Sequence, residues 1–130
     1  MRHLIDSNPI IEYLNGTLPS LGKAFFRNLL EEGNAFVSDV TRIEVLGYPR
    51  MAPGDRQQAL HVFSRLASIP MEEEIVELTI HLRSSVGGQT ADAIIAATAI
   101  QYELPLITRN LEDFKRFLPF HLAIIDLHQM

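Results

Sequence analysis

The sequence contains no cysteine, which removes disulfides and thiolate metal sites and leaves oxygen and imidazole as the donors open to a metal. Imidazole is itself badly placed. None of the five histidines stands at a ligand spacing from another, and His81 lies in an amphipathic stretch that reads as surface or boundary, so zinc is a poor fit. Long apolar runs are missing: MRHLIDSNP reaches Asp6 and Pro9 before a signal segment or membrane span could develop, and the expectation is a cytoplasmic protein. An excess of positive charge is missing as well. Sixteen acids against 11 Lys and Arg give a net charge of −5, which argues against broad electrostatic attraction to nucleic acid or an anionic membrane. A local site stays open, because cations held by those acids would cancel part of the charge. There is no repeat, linker or low-complexity segment.

What remains is ordinary globular material. Apolar residues make up 47% and charged residues 21% of 130 positions, enough to bury a core, and the chain reads as a single domain over 1–130. Leu4-Ile5 reads as a short strand, with Asn8 as N-cap and Pro9 in the first turn of a helix that ends at Asn15-Gly16. Ser20 caps a second helix, with Leu21, Phe25, Leu29 and Leu30 as its buried stripe. Ala35 to Ser38 reads as a strand, followed by a helix opened by the capping box Thr41-Arg42-Ile43-Glu44. Pro53-Gly54-Asp55 starts the second arm of a helical hairpin that runs through Ala67, with Leu60 and Phe63 in its core or lining a groove for a partner peptide. Glu72 to Ser85 is an acidic amphipathic helix whose acids suit its start. Thr90 caps a helix from Ala91 to about Glu103 that is apolar on nearly every face and therefore buried. Leu106 to Thr108 is a strand, Asn110 caps a helix to Phe117, and His121 to Leu127 is a last strand. Strands separated by helices, with no hairpin signal, predict an α/β fold: a small, mostly parallel sheet flanked by helices.

Three of four candidate acids fall where such a sheet binds ligands, beyond the carboxyl ends of its strands. Asp6 follows the first strand, Glu44 the second and Asp113 the third, while Asp92 starts the buried helix leading into the third. Each has an ordinary explanation taken alone, as a cap or a first-turn acid. Caps do not explain why four like charges from distant segments gather at one sheet edge. Such a cluster implies a hard divalent ion, Mg²⁺ or Mn²⁺, and carboxylates holding one or two such ions suit hydrolysis of a phosphodiester. Ser38 and Thr108, at strand ends, and Asn110 are supporting candidates, their bland reading being satisfied turn hydroxyls and a cap. Arg109, Lys115 and Arg116 near Asp113 are candidate contacts to a phosphodiester backbone, with a solvated helix face as the equal alternative.

LIDSNPIIEYLNG at 4–16, VTRIEVLGYP around Glu44 and ADAIIAATAIQYELPLITRNLEDFKRF at 91–117 resemble the PIN-domain ribonucleases, in particular the VapC-type toxins of toxin–antitoxin pairs. The resemblance spans almost the whole chain. It implies a PIN-like fold and a Mg²⁺- or Mn²⁺-dependent endoribonuclease, held inactive by a cognate VapB-like antitoxin and usually homodimeric. Its four acids match Asp6, Glu44, Asp92 and Asp113, with Asn8 orienting Asp6. Two departures stand out. Ser7 replaces a common threonine, and Gln89-Thr90-Ala91-Asp92 lacks the lysine and proline of the frequent Lys-x-Pro-Asp. The competing readings are a receiver-like signalling domain, which wants an acid pair after the first strand and a late lysine, and a non-catalytic protein-binding module in which the acids are only caps.

Overall fold

Leu4 and Ile5 carry no polar atom on either side of the pleat, so the strand they form must be covered on both faces. In the computed structural model, which describes all 130 residues, both are fully buried in strand β1 (His3–Ile5). Helix α1 (Ser7–Asn15) closes at Gly16 with φ 71°, and α2 (Ser20–Glu32) closes at Gly33 in the same left-handed cap. Strand β2 (Ala35–Ser38), α3 (Asp39–Leu46) and α4 (Pro53–Phe63) follow. Then come β3 (Ala67–Ile69), α5 (Glu73–Val86) and α6 (Thr90–Gln101). The chain finishes with β4 (Leu106–Ile107), α7 (Leu111–Phe114), a 3-10 helix (Lys115–Phe120), β5 (Ile124–Ile125) and a terminal 3-10 turn (Leu127–Gln129).

The five strands form one sheet in the order β3-β2-β1-β4-β5, every pair parallel. Period-two alternation splits the core into two layers. Leu4 and Leu106 join Ile75, Leu82, Ile95, Phe114 and Phe117 on the face covered by α5 and α6. Ile5, Val37 and Ile107 join Ile10, Phe26, Val45 and Phe63 on the face covered by α1 to α4. Helix α6 is buried as its composition predicts, with Ala93, Ile95, Ala96, Ala97 and Ala99 at 1% exposure or less.

Several local expectations are corrected. Strand β3 lies in what reads as a helix tail; only Ile69 of its three residues is buried, so this short edge strand leaves no apolar alternation to detect. The cap of α3 is Ser38, whose Oγ accepts from the Thr41 N–H at 3.2 Å, not a box between Thr41 and Glu44. Asn8 and Thr90 lie inside their helices, with Asp6 and Gln89 in the capping positions. Leu21 and Leu60 are exposed, at 66% and 46%. The helix expected to reach Phe117 tightens into 3-10 geometry at Lys115, ahead of Pro119, which cannot donate to an α-helical ladder. The strand order also differs from the 2-1-3-4-5 of receiver domains, which sets that alternative aside.

Candidate active site

The strand order reverses beside β1: β2 and β3 build outward on one side, β4 and β5 on the other. Ligand crevices of open α/β sheets form beyond the carboxyl ends of strands flanking such a reversal, here β1 and β4. Asp6 follows β1 and Thr108 follows β4, and they meet there: Thr108 Oγ1 donates to Asp6 Oδ2 at 2.8 Å, across 102 residues of sequence. Thr108 Oγ1 also accepts from the Asn110 N–H at 3.0 Å, so the hydroxyl has a fixed donor direction. Asp6 occupies the capping position of α1 but makes no side-chain cap bond, and only 7% of it is exposed.

The other acids are held by their own neighbours. Ser7 Oγ donates to Glu44 Oε1 at 2.6 Å, tying the start of α1 to α3. Asn110 and Asp113 bond reciprocally: Asn110 Nδ2 donates to Asp113 Oδ2 at 2.6 Å, and the Asp113 N–H donates to Asn110 Oδ1 at 3.3 Å. Asp92, in the first turn of α6, has no hydrogen-bonded side-chain partner and lines an open cavity of about 290 Å³ with Gly88, Gln89, Asp113 and Arg116.

The electrostatics join the four into one cluster. The Asp92 carboxyl is pushed up to about 6, first by burial and then by the charges of Asp113, Asp6 and Glu44, with Arg116 pulling the other way. Burial also raises the Asp6 carboxyl, against the Thr108 hydroxyl and the Ser7 N–H that favour its charged form, and Glu44 adds to the rise. Four acids therefore share one field with one arginine beside them. No three acids or histidines stand close enough together to enclose an ion as they are. Glu44 and Asp113 are exposed side chains, each engaged through one carboxylate oxygen.

The remaining candidates divide. Asn8 is exposed and makes no side-chain hydrogen bond, so Asp6 is oriented by Thr108 in its place. The Ser38 hydroxyl is buried and bonded to Thr41, and it makes no hydrogen bond to the acids. Arg109 faces Glu12 at 3.7 Å, and Lys115 pairs with Glu112 at 3.0 Å. Only Arg116 of the three cations lines the acidic cavity. Two groups escaped sequence reasoning. Ser7 stands in the sequence only as the replacement of a common threonine, and nothing there pairs it with Glu44. The Glu12–His128 contact of 2.6 Å, which ties the terminal turn to α1, carries no local signal at all.

A family model described as the PIN domain matches residues 3–117. No curated protein matches the chain. Among solved structures, the chain is similar to a toxin–antitoxin complex from Klebsiella pneumoniae at 26% identity and a TM-score of 0.73, covering 96% of this chain and 97% of the other. It shares its fold with VapBC2 from Rickettsia felis bound to a promoter DNA fragment, at 23% identity, TM-score 0.77 and coverage of 97% and 98%. The same holds for DNA-bound VapBC from Salmonella typhimurium, at 20% identity, TM-score 0.78 and 98% of each chain.

Proposed function

Since the chain belongs to the PIN-domain family, a family of nucleases, we propose that it is a metal-dependent endoribonuclease and the VapC-like toxin of a toxin–antitoxin pair. One observation carries the reading: Asp6, Glu44, Asp92 and Asp113 share a single electrostatic field at the β1/β4 crevice. Caps alone do not need that convergence. The donor set is all carboxylate oxygen, which fits Mg²⁺ or Mn²⁺ and not a softer ion. Burial first, and then the mutual repulsion of the acids, push the Asp92 and Asp6 carboxyls upward, and a divalent cation among them would favour their charged forms. Such an ion, held by these four acids once their side chains draw in, would neutralise phosphate charge and acidify a water for attack on phosphorus.

The chain's own groups perform the rest. Thr108 and the Ser7 N–H favour the charged form of Asp6 against its burial, and Thr108 fixes its orientation. Ser7 and Asn110 each engage one oxygen of Glu44 and Asp113, leaving the other oxygen free. Hydrolysis would leave a 5′-phosphate and a 3′-hydroxyl. An apolar groove between α1, α3 and α4, about 470 Å³ and lined by Ile11, Leu14, Val45, Tyr48 and Met51, supports docking of an antitoxin peptide. We place the protein in the cytoplasm as a single-domain homodimer. Total RNA incubated with the protein in Mg²⁺ or Mn²⁺ should be cut at mapped sites, and EDTA should stop the reaction. Asp6→Asn and Asp92→Asn should each lower the rate at least a hundredfold; wild-type rates in both would remove the assignment.

A further inference from the structure

Arginines beside carboxylates ordinarily collapse onto them as ion pairs. Arg116 does not. It lines the cavity with Asp92 and Asp113, close enough to pull the Asp92 carboxyl down, yet it forms no ion pair. Its one hydrogen bond runs from Nη1 to the Val86 carbonyl at 3.3 Å, at the end of α5. The guanidinium has five donors, so four remain uncommitted.

The local backbone is shaped for this placement. Gly88, at φ 99°, lies under the arginine stem: a Cβ there would come within 3.1 Å of Arg116 Cδ and of Phe117 Cζ. The same Gly87–Gly88 segment is held by Arg83, whose Nε donates to the Gly88 carbonyl at 3.3 Å. Gln89, on the same cavity wall, brings no charge, so Arg116 is the only cation lining it.

From this geometry we propose that Arg116 is a substrate-binding residue that takes a phosphate of single-stranded RNA on the Asp92–Asp113 side of the site, braced by the diglycine turn. A cation held off the acids leaves an anion room to bridge between the guanidinium and whatever the carboxylates hold. Bidentate contact to a non-bridging phosphate pair suits the planar fork. The proposal deepens, and rests on, the phosphodiester reading of the four acids.

The test uses fluorescein-labelled single-stranded RNA of randomised sequence, with affinity read by anisotropy in the full-length Asp92→Asn background so that strands stay intact. Arg116→Gln should weaken binding about tenfold, the loss of one hydrogen-bonded charge contact, and lower the salt slope by about one. Arg116→Lys should recover part of the affinity. Gln89→Lys added to Arg116→Gln should recover it too, by returning a cation to the same cavity without restoring the Val86 contact. Unchanged affinity and slope in Arg116→Gln, or a failure of Gln89→Lys to recover either, would reduce Arg116 to a cap on α5 and overturn the proposal. Cleavage of total RNA in Mg²⁺ with Asp92 intact separates the two readings. Arginine-dependent binding without cleavage keeps the arginine and removes the nuclease; cleavage by Arg116→Gln at the parent rate does the reverse.

Discussion

Burial and the charges of Asp113, Asp6 and Glu44 push the Asp92 carboxyl well above its ordinary range. Its folded value of about 6 lies above the ordinary 3.8, so between these values the folded chain binds a proton that the unfolded chain has already lost. Metal-free stability therefore falls as pH rises across that window and stays low above it; Asp6, raised in the same direction, adds to the trend. Melting curves in EDTA should show a higher midpoint at pH 5 than at pH 7.5. Asp92→Asn should flatten that difference and raise the midpoint at pH 7.5. Discounted for the screening of a partly exposed carboxyl, the gain is about 1 kcal/mol, or roughly 3 to 5 °C. Stabilisation by removing a site residue is what an unrelieved charge cluster should show. Thr108 makes a second test. Thr108→Val keeps the shape and deletes the donor to Asp6, so Mn²⁺ affinity by calorimetry should drop about 10- to 100-fold while the fold persists. Affinity equal to the parent's would mean that Asp6 needs no such support.

At the scale of elements, two glycines that look alike in the sequence behave oppositely. Gly22, inside α2, is buried against the terminal turn: a Cβ would sit 2.5 Å from the Leu127 carbonyl oxygen and 2.9 Å from Leu127 Cβ. Alanine there gains up to about 1 kcal/mol of helix propensity but must push the turn away, a cost of about 1 to 3 kcal/mol, so sterics win. Gly54, at the start of α4, has nothing within 4 Å of the same added carbon. Gly54→Ala should raise the unfolding midpoint by the equivalent of about 0.5 kcal/mol, and Gly22→Ala should lower it. Denaturant titration of both variants checks the pair, and the reverse order would refute the packing of α2 on the terminal turn. Elements also account for what the sequence concealed. A helix such as α6 announces itself by being apolar all round, whereas β3 is a three-residue edge strand whose pairing with Phe36, Val37 and Ser38 is entirely non-local.

For the whole molecule, a divalent ion that binds only the folded state adds RT ln(1 + [L]/Kd) to stability. Mg²⁺ or Mn²⁺ at about 100 times Kd should therefore add about 2.7 kcal/mol, with the largest gain above pH 6, where protons no longer compete for Asp92. Calcium-free, EDTA-treated protein titrated with Mn²⁺ in a thermal melt reads this directly. No shift at any pH would deny the acids a metal. No helix is long and apolar enough to cross a membrane.

Features with a local cause are legible along the chain: the apolar pairs Leu4-Ile5 and Leu106-Ile107 that demand a doubly covered parallel sheet, the Gly16 end of the first helix, and acids following strands. Period and capping chemistry act within a few residues, so they can be read in one dimension. Which groups meet depends on the assembled fold. Placing β4 beside β1 gave Asp6 to Thr108 and not to Asn8, laying α1 against α3 gave Glu44 to Ser7, and the approach of the 3-10 segment to the diglycine turn selected Arg116 over Arg109 and Lys115. Those pairings follow from strand order and helix packing, which are set by the whole core at once and leave no trace in the spacing of the residues they join.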